Sequence, residues 1–338
     1  MQFAMDFDKD GIDDDFDILQ DLCEKTDVPI SFTVVERHDN PSGWKRIVER
    51  TETAVNQGRR MKMQVAARPI GVLLGLQSSR NVFSKCPTFQ GINHHPLEKK
   101  IELLKKSAIR EKIISEFRQP CDDALAVRLS NLSGIYMLGE APNYDPGSGQ
   151  SISALAASQG MDEVEFAYDL QLANDGKTLL YSPFANYAHA NLDACQEMVQ
   201  HPHSLLSLGD GGAHVGLITD SSSTTFMLTH WVKQQGLPLE WAVQKLTSLP
   251  AEMMGLKDRG VIKQGMKADL NIIDLDRLEI CFPYVVSDLP AGGTRFTQDS
   301  DGYLATFLSG KCVVREGKPT GLLPGRLVRS HSLVGSNN

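Results

Sequence analysis

The amino-acid sequence predicts an α/β protein, built from βα units around a largely parallel sheet and followed by a small β-rich domain. Three observations lead to this prediction. Short apolar, strand-like runs alternate with amphipathic helical patterns over the first 250 or so residues. After Gly255, short β-runs follow one another with no helical pattern between them. With 338 residues, the chain is long enough for one large core and a second, smaller one.

The alternation is clearest in the N-terminal part of the chain. Strands are predicted over residues 2–7, 29–35 and 62–67. A helix from Asp14 to Thr26 separates the first two, because its apolar residues recur at helical spacing: Phe16, Leu19, Leu22 and Cys23. A second helix begins near Ser42 and places four apolar side chains inward: Trp44, Ile47, Val48 and Val55.

The following elements extend the same pattern to about residue 255. One long helix is predicted from Leu97 to Phe117, and further strands over 133–139, 178–184 and 204–210. Helices are predicted over 151–159, 163–174, 222–235 and 238–249, with Asp162 as an N-cap and Pro238 in a first turn. We place a domain boundary near 255, so that 1–255 forms the βα portion and 256–338 the small β-rich domain and tail.

Composition and charge narrow the classes of partner. The formal net charge is −8 and no basic run occurs, which disfavours nucleic acid and anionic membranes as partners. We expect a small-molecule substrate as the partner. The six cysteines are scattered without a C-x-x-C pair, as is typical of reduced thiols. Neither a signal peptide nor an apolar run of membrane-spanning length is apparent. We therefore expect a soluble cytoplasmic protein and leave open whether it is a homo-oligomer.

The acidic segment MDFDKDGIDDDF, residues 5–16, has the spacing of a calcium-binding EF-hand loop. The matching positions are Asp6, Asp8, Asp10, Gly11, Asp14 and Asp17. However, Asp13 stands where such a loop needs an apolar residue, and a strand rather than a helix precedes the segment. Acidic residues crowding the positive N-terminus of the next helix explain the same pattern. We favour that interpretation over a calcium site.

The segment HPHSLLSLGDGGAHVG, residues 201–216, carries the main candidate for catalysis. Asp210 follows a Leu-rich strand, and His214 comes four residues later, after a double glycine that permits a sharp turn. In βα barrels the C-terminal ends of strands build the active site. A carboxylate there can bind a divalent metal or shuttle a proton. A glycine-rich turn with an Asp cap and a solvated His is an equally good interpretation of the spacing alone.

The C-terminal half resembles the amidohydrolase superfamily, and within it the N-acyl-D-amino-acid deacylase-like group. The resemblance rests on LGDGGAH, on LPLEWAVQKLTSLPAEMMGLKDRGVIKQGMKADLNIIDLD and on LSGKCVVREGKPTGLLPGRLVR. It implies part of a metal-dependent (β/α)₈ barrel with a small C-terminal β-sandwich-like domain, one or two Zn²⁺ ions, and hydrolysis of a linear N-acyl amide. It also implies that Asp210 contacts the metal and acts as base and then acid, and that His214 serves the substrate or the structure.

Two further residues are candidates for substrate binding. His189 comes just after the predicted strand 178–184, at a strand end. Arg68 follows the strand 62–67 and could bind a carboxylate bidentately, although an ion-paired structural role is the more common one.

The sequence departs from the family at the expected metal ligands. The family's first strand ends in H-x-H, which is not found at the N-terminus. The pair His201 and His203 precedes its strand, where residues serve stability. The strand 29–35 offers Thr33 or Val34 in place of the family's His, and His38 lies beyond it. His94 and His95 are expected in a surface loop.

The number of strands agrees with these missing ligands. Six candidate strands precede residue 211, whereas a closed barrel needs eight. We therefore expect a chain that lacks the N-terminal part of the barrel. Two hypotheses follow: a metal-dependent amidohydrolase with Asp210 at its reaction centre, or a non-catalytic relative that has lost its metal.

Overall fold

The computed structural model describes residues 1–5, 12–26, 28–207, 214–217 and 222–328, and shows a mixed α/β fold. Over these ranges, no helix combines the length and the apolar character needed to cross a bilayer.

The elements are numbered in chain order. The strands are β1 (Gln2–Phe3), β2 (Ile30–Thr33), β3 (Met61–Val65), β4 (Ile70–Leu74), β5 (Tyr136–Met137), β6 (Leu180–Ala185), β7 (Ser204–Leu206), β8 (Leu270–Ile273), β9 (Glu279–Ile280), β10 (Tyr284–Leu289), β11 (Gly293–Thr297), β12 (Ser300–Asp301), β13 (Tyr303–Leu308), β14 (Lys311–Arg315) and β15 (Lys318–Pro319). The α-helices are α1 (Ile12–Thr26), α2 (Gly43–Asn56), α3 (Pro87–Ile92), α4 (Leu97–Leu104), α5 (Ser107–Phe117), α6 (Ala124–Arg128), α7 (Ile152–Ser158), α8 (Glu163–Leu172), α9 (Asp193–Gln200), α10 (Ser223–Phe226), α11 (Leu239–Leu246) and α12 (Ser248–Met253).

A parallel sheet in the order β1-β2-β3-β7 forms the centre of the N-terminal part. Its first three strands are joined by α1 and α2, so the predicted βα alternation is confirmed here. The predicted inward residues Phe16, Leu19 and Cys23 of α1 are buried, as are Trp44 and Ile47 of α2. All four strands run in one direction, and their C-terminal ends therefore share one edge of the sheet.

A second sheet, β4-β6-β5, is antiparallel, and here the expectation of a largely parallel sheet is wrong. The predicted strands at 133–139 and 178–184 pair with each other, and the second also pairs with β4, which the pattern did not reveal. Tyr181 of β6 lies opposite both Leu73 and Tyr136. A short apolar run has no direction of its own, so only the pairing partner decides between parallel and antiparallel.

Several predicted helices differ in detail. The helix expected from Leu97 to Phe117 is two helices, α4 and α5, because Lys106 takes an extended conformation (ψ 124°) between them. The helix expected over 238–249 divides at Thr247, and the one expected over 222–235 continues from α10 as a π-helix, Met227–Gln234. The Asp162 N-cap is confirmed, since its carboxylate accepts hydrogen bonds from the N–H groups of Val164 and Glu165.

The segment after residue 255 is β-rich, as predicted. It contains a four-stranded sheet, β15-β14-β13-β8, and two two-stranded sheets, β10-β11 and β12-β9. Leu278 and Phe296 of this segment are buried in the same apolar cluster as the parallel sheet. The segment therefore packs directly against the βα portion, and the boundary near 255 stays a prediction.

Two apolar clusters stabilise the chain. The larger surrounds the parallel sheet and includes Phe16, Ile30, Phe32, Ile47 and Met63. The smaller covers the antiparallel sheet with α3, α5 and α8, and its aromatic members Phe83, Phe117 and Tyr168 meet edge to face. All six cysteines lie within the described ranges as free thiols.

Candidate functional site

The shared C-terminal edge of the parallel sheet positions polar side chains from separate strands. Glu36 follows β2 and Arg68 follows β3, and both side chains are buried, at 2% and 3% exposure. Beyond β7 the described chain reaches Ser207, and Asp210 lies outside the described residues. A buried acid and a buried base at the ends of adjacent parallel strands are unusual in a core, because each charge must be compensated there.

Arg68 is held against one aromatic side chain. Its guanidinium carbon lies 4.0 Å from the ring centre of Tyr144, a cation–π contact. Its Nη1 donates to the carbonyl oxygen of Pro69 at 3.3 Å, and its Nη2 lies 3.5 Å from the hydroxyl of Ser222. The Tyr144 hydroxyl in turn accepts a hydrogen bond of 2.9 Å from Nε2 of Gln298. The β-rich segment therefore helps to fix the surroundings of Arg68.

Glu36 is bound to the loop that follows β6. Its N–H donates to Oδ1 of Asn186 at 2.7 Å, and the Asn186 N–H donates to the Glu36 carbonyl oxygen at 2.8 Å. One carboxylate oxygen accepts the Ala188 N–H at 2.9 Å, and the other lies 3.9 Å from Nε2 of His189. Burial raises the pKa of Glu36, although the Ala188 hydrogen bond and the charge of His189 oppose that rise.

The loop after β6 is fixed on its other side as well. The Tyr187 hydroxyl donates to a carboxylate oxygen of Asp145 and accepts the Gly147 N–H, both at 2.9 Å. Burial raises the pKa of this hydroxyl, so it is a neutral phenol at physiological pH. His189 itself projects outward, with 66% of its side chain exposed. A fixed backbone therefore presents an accessible imidazole.

His214 belongs to a different segment. It is exposed and has a left-handed backbone (φ 51°). Its segment, residues 214–217, is anchored to two sheets: the Leu73 N–H donates to the carbonyl oxygen of Leu217 at 2.7 Å, and the Phe296 N–H donates to that of Val215 at 2.8 Å. The segment thus lies between β4 and β11.

Three further histidines, His94, His201 and His203, have the placement expected of surface or structural residues. His201 and His203 precede β7, at the opposite edge of the sheet from Glu36, and Nε2 of His201 lies 3.0 Å from a carboxylate oxygen of Glu52. His94 is exposed in the turn before α4. In the part of the chain that the structure describes, no three His, Cys, Asp or Glu side chains are grouped so that they could hold a metal ion.

The sequence analysis did not single out Glu36, Asn186 or Tyr144. One signal was present for Glu36, which is the first charged residue after the apolar strand 29–35 and therefore falls at a strand end. Asn186 carried the same signal, because it comes two residues after the predicted strand 178–184. Tyr144 carried none, because its contact with Arg68 joins residues more than 70 positions apart in the chain.

Comparison with known proteins places this arrangement in a family. The model of the amidohydrolase family matches residues 5–314. N-acyl-D-glutamate deacylase of Alcaligenes xylosoxydans xylosoxydans is 29% identical over 212 residues, which are 61% of this chain and 38% of that protein. N-acyl-D-aspartate deacylase of the same organism is 25% identical over 272 residues, 78% of this chain and 50% of that protein.

Solved structures show the same relationship at the level of the fold. A crystal structure of D-aminoacylase superposes with a TM-score of 0.51 at 16% identity, covering 95% of this chain and 54% of that one. A D-aminoacylase mutant in complex with CuCl₂ gives 0.50 at 14% identity, with the same coverage. The chain thus spans about half, or less, of the length of these proteins. Since the family model matches nearly the whole chain, the chain belongs to the amidohydrolase family.

Proposed function

We propose that the whole protein is a metal-dependent amidohydrolase that cleaves the amide bond of a linear N-acyl-D-amino acid, a carbon–nitrogen bond other than a peptide bond. Membership of the amidohydrolase family supports hydrolysis of such a bond. The names of the two relatives, deacylases of N-acyl-D-glutamate and N-acyl-D-aspartate, support the substrate class. A non-catalytic relative is less well supported, because both relatives are named as enzymes.

We also propose that the parallel sheet is a part of a (β/α)₈ barrel and that residues 256–338 form a β-sandwich-like domain beside it. The order β1-β2-β3-β7, with α1 and α2 between its first three strands, is compatible with a barrel segment. In this arrangement the mouth of the barrel is the edge where Glu36 and Arg68 lie.

The observation that carries the proposal is the buried guanidinium of Arg68 at that edge. Every N-acyl amino acid has a carboxylate, and a planar guanidinium can bind it through two parallel hydrogen bonds. The Tyr144 ring holds one face of the guanidinium, which restricts its orientation before any substrate arrives. We assign substrate binding to Arg68, with His189 and His214 as further contacts of the substrate.

In the proposed reaction, Asp210 accepts a proton from water as the water oxygen bonds to the amide carbon. The C–N bond then breaks, and Asp210 returns the proton to the departing amine. The products are a carboxylic acid and an amino acid. The family resemblance implies Zn²⁺ with Asp210 as a candidate ligand, but the described residues do not form a metal site. No step is therefore assigned to a metal, and metal analysis of the purified whole protein tests for the expected one or two zinc ions.

The experiment that tests the function is the release of free amino acid from N-acetyl-D-amino acids by the purified whole protein. Asp210→Asn should lower kcat by at least about 100-fold, the usual contribution of a general base, without changing the circular dichroism spectrum. Asp276→Asn is the matched control, because Asp276 is exposed and distant in sequence from the site, and it should retain normal turnover. Near-normal turnover of Asp210→Asn would show that Asp210 is a structural cap.

A further inference from the structure

Glu36 is a buried carboxylate that the proposed reaction does not yet use. It lies three residues beyond the end of β2, at the edge of the sheet that also holds Arg68. A carboxylate is costly to bury, and it persists in a core where hydrogen bonds and opposite charges compensate it. Here one oxygen accepts the Ala188 N–H, and the other faces the imidazole of His189 at 3.9 Å. The carboxylate thus lies against both a backbone N–H and a side chain of the same loop.

The loop that carries His189 has an unusual backbone. Asn186 at its start has φ 63°, and Ala190 at its end has φ 53°, both in the left-handed region. Asparagine tolerates that region, whereas alanine rarely adopts it. Such backbone persists where surrounding contacts dictate it, and it is concentrated at functional sites. The two hydrogen bonds between Glu36 and Asn186, with that to Ala188, are contacts of this kind.

Asn186 supplies a second, independent observation. The residue is completely buried, and its side-chain oxygen and backbone N–H both bond to Glu36. Its Nδ2 has no hydrogen-bond partner among the described residues. A buried amide nitrogen without a partner is rare and costly, and one explanation is an acceptor that arrives with a ligand.

We propose that Glu36 and Asn186 are positioning residues that hold the His189 imidazole at the mouth of the site, where it binds the substrate. This inference rests on the proposed amide hydrolysis. Glu36 acts on the loop through Ala188 and on the imidazole through its second oxygen. The charged groups that face its carboxylate are His189 and, with the opposite sign, Asp193. Glu36 and Asn186 orient a substrate contact and take no part in proton transfer to or from the attacking water.

The central variant is Glu36→Gln, which can still accept the Ala188 N–H but has no charge to offer His189. If His189 binds the substrate, we expect KM to rise about tenfold with kcat within about twofold, since the lost interaction is one charge-assisted contact of the ground state. His189→Gln should give the same change, and the double variant should be no worse than either single one. Glu52→Gln is the matched control, because it removes the partner of His201 at the opposite edge of the sheet.

An NMR measurement that does not depend on catalysis tests this inference independently of the proposed function. In the full chain with ¹³C-labelled histidine, the His189 signal is identified by its loss in His189→Gln. Glu36→Gln should shift the His189 signal, because the carboxylate 3.9 Å from the imidazole loses its charge, and Glu52→Gln should leave that signal unchanged. An unchanged His189 signal together with an unchanged KM would overturn the inference. If Glu36→Gln shifts the His189 signal but the wild type hydrolyses no N-acyl amide, the contact between Glu36 and His189 stands and the proposed reaction fails. If Glu36→Gln does not fold, a normal KM in His189→Gln overturns the inference by itself, and a tenfold higher KM supports it.

Discussion

Replacing Phe32 by alanine tests how the parallel sheet is stabilised. Phe32 is the third residue of β2, between β1 and β3, and it is completely buried. Its ring meets that of Phe16 in α1 edge to face, with centroids 5.6 Å apart and planes at 88°. Truncating a buried Phe to Ala costs about 3–5 kcal/mol, because transfer free energy is lost and a cavity remains. The aromatic pair accounts for about 0.5–1.5 kcal/mol of this stabilisation.

The assay is urea unfolding of the full chain, followed by circular dichroism. We expect the free energy of unfolding to fall by about 4 kcal/mol, seen as a lower midpoint at an unchanged slope. Phe184→Ala is the matched control. The Phe184 side chain is 44% exposed, and its ring makes a cation–π contact with the guanidinium of Arg128. Its truncation should therefore lower the free energy of unfolding by about 1 kcal/mol or less. Equal losses in the two variants would refute the packing of α1 on β2.

Two further predictions concern a helix cap and the substrate contact. Asp162→Ala should lower the free energy of unfolding by about 1 kcal/mol, whereas Asp162→Asn, which can still cap, should lose little; equal losses would contradict the cap. Because the hydrogen bond from the Glu165 N–H lowers the pKa of Asp162, this stabilisation is present at neutral pH and lost as the pH falls through the lowered pKa. Acid unfolding of the wild type beside Asp162→Ala measures that loss. Arg68→Lys keeps the charge but loses the planar contact with Tyr144, and it should raise KM for N-acyl amino acids about tenfold. The assay is amino-acid release, with the exposed Arg277→Lys as control. An unchanged KM would contradict carboxylate binding by Arg68.

The local pattern of the sequence predicted the elements that are defined by residues close together in the chain. Most of the predicted inward residues of α1 and α2 are buried, and Leu22, Val48 and Val55 are partly buried against the same cluster. The prediction succeeds because a helix on a sheet hides one face and its period marks that face. The Asp162 cap was also predictable, since capping depends on residues two and three positions away. The two helices α4 and α5 were not separable, because the apolar spacing continues through Lys106 without a break.

The site was predictable only in part. His189 and Arg68 were found by their position after predicted strands, and His214 by its spacing from Asp210. The placements of Arg68, His189 and His214 are now described, whereas Asp210 lies outside the described residues and its role stays a prediction. Glu36 was missed because a single acidic residue after a strand is common on surfaces, and only its burial distinguishes it.

The sequence by itself determined the family, the α/β class, the order of the N-terminal βα units and the β-rich character of the last segment. These features follow from local periodicity and from linked motifs, and both are visible in the amino-acid sequence itself. The tertiary structure alone decided the antiparallel pairing of β4, β5 and β6 and the meeting of Glu36 with Asn186 and His189, 150 positions or more away. Strand direction and long-range contact depend on which surfaces meet when the chain folds, and no local pattern encodes that choice.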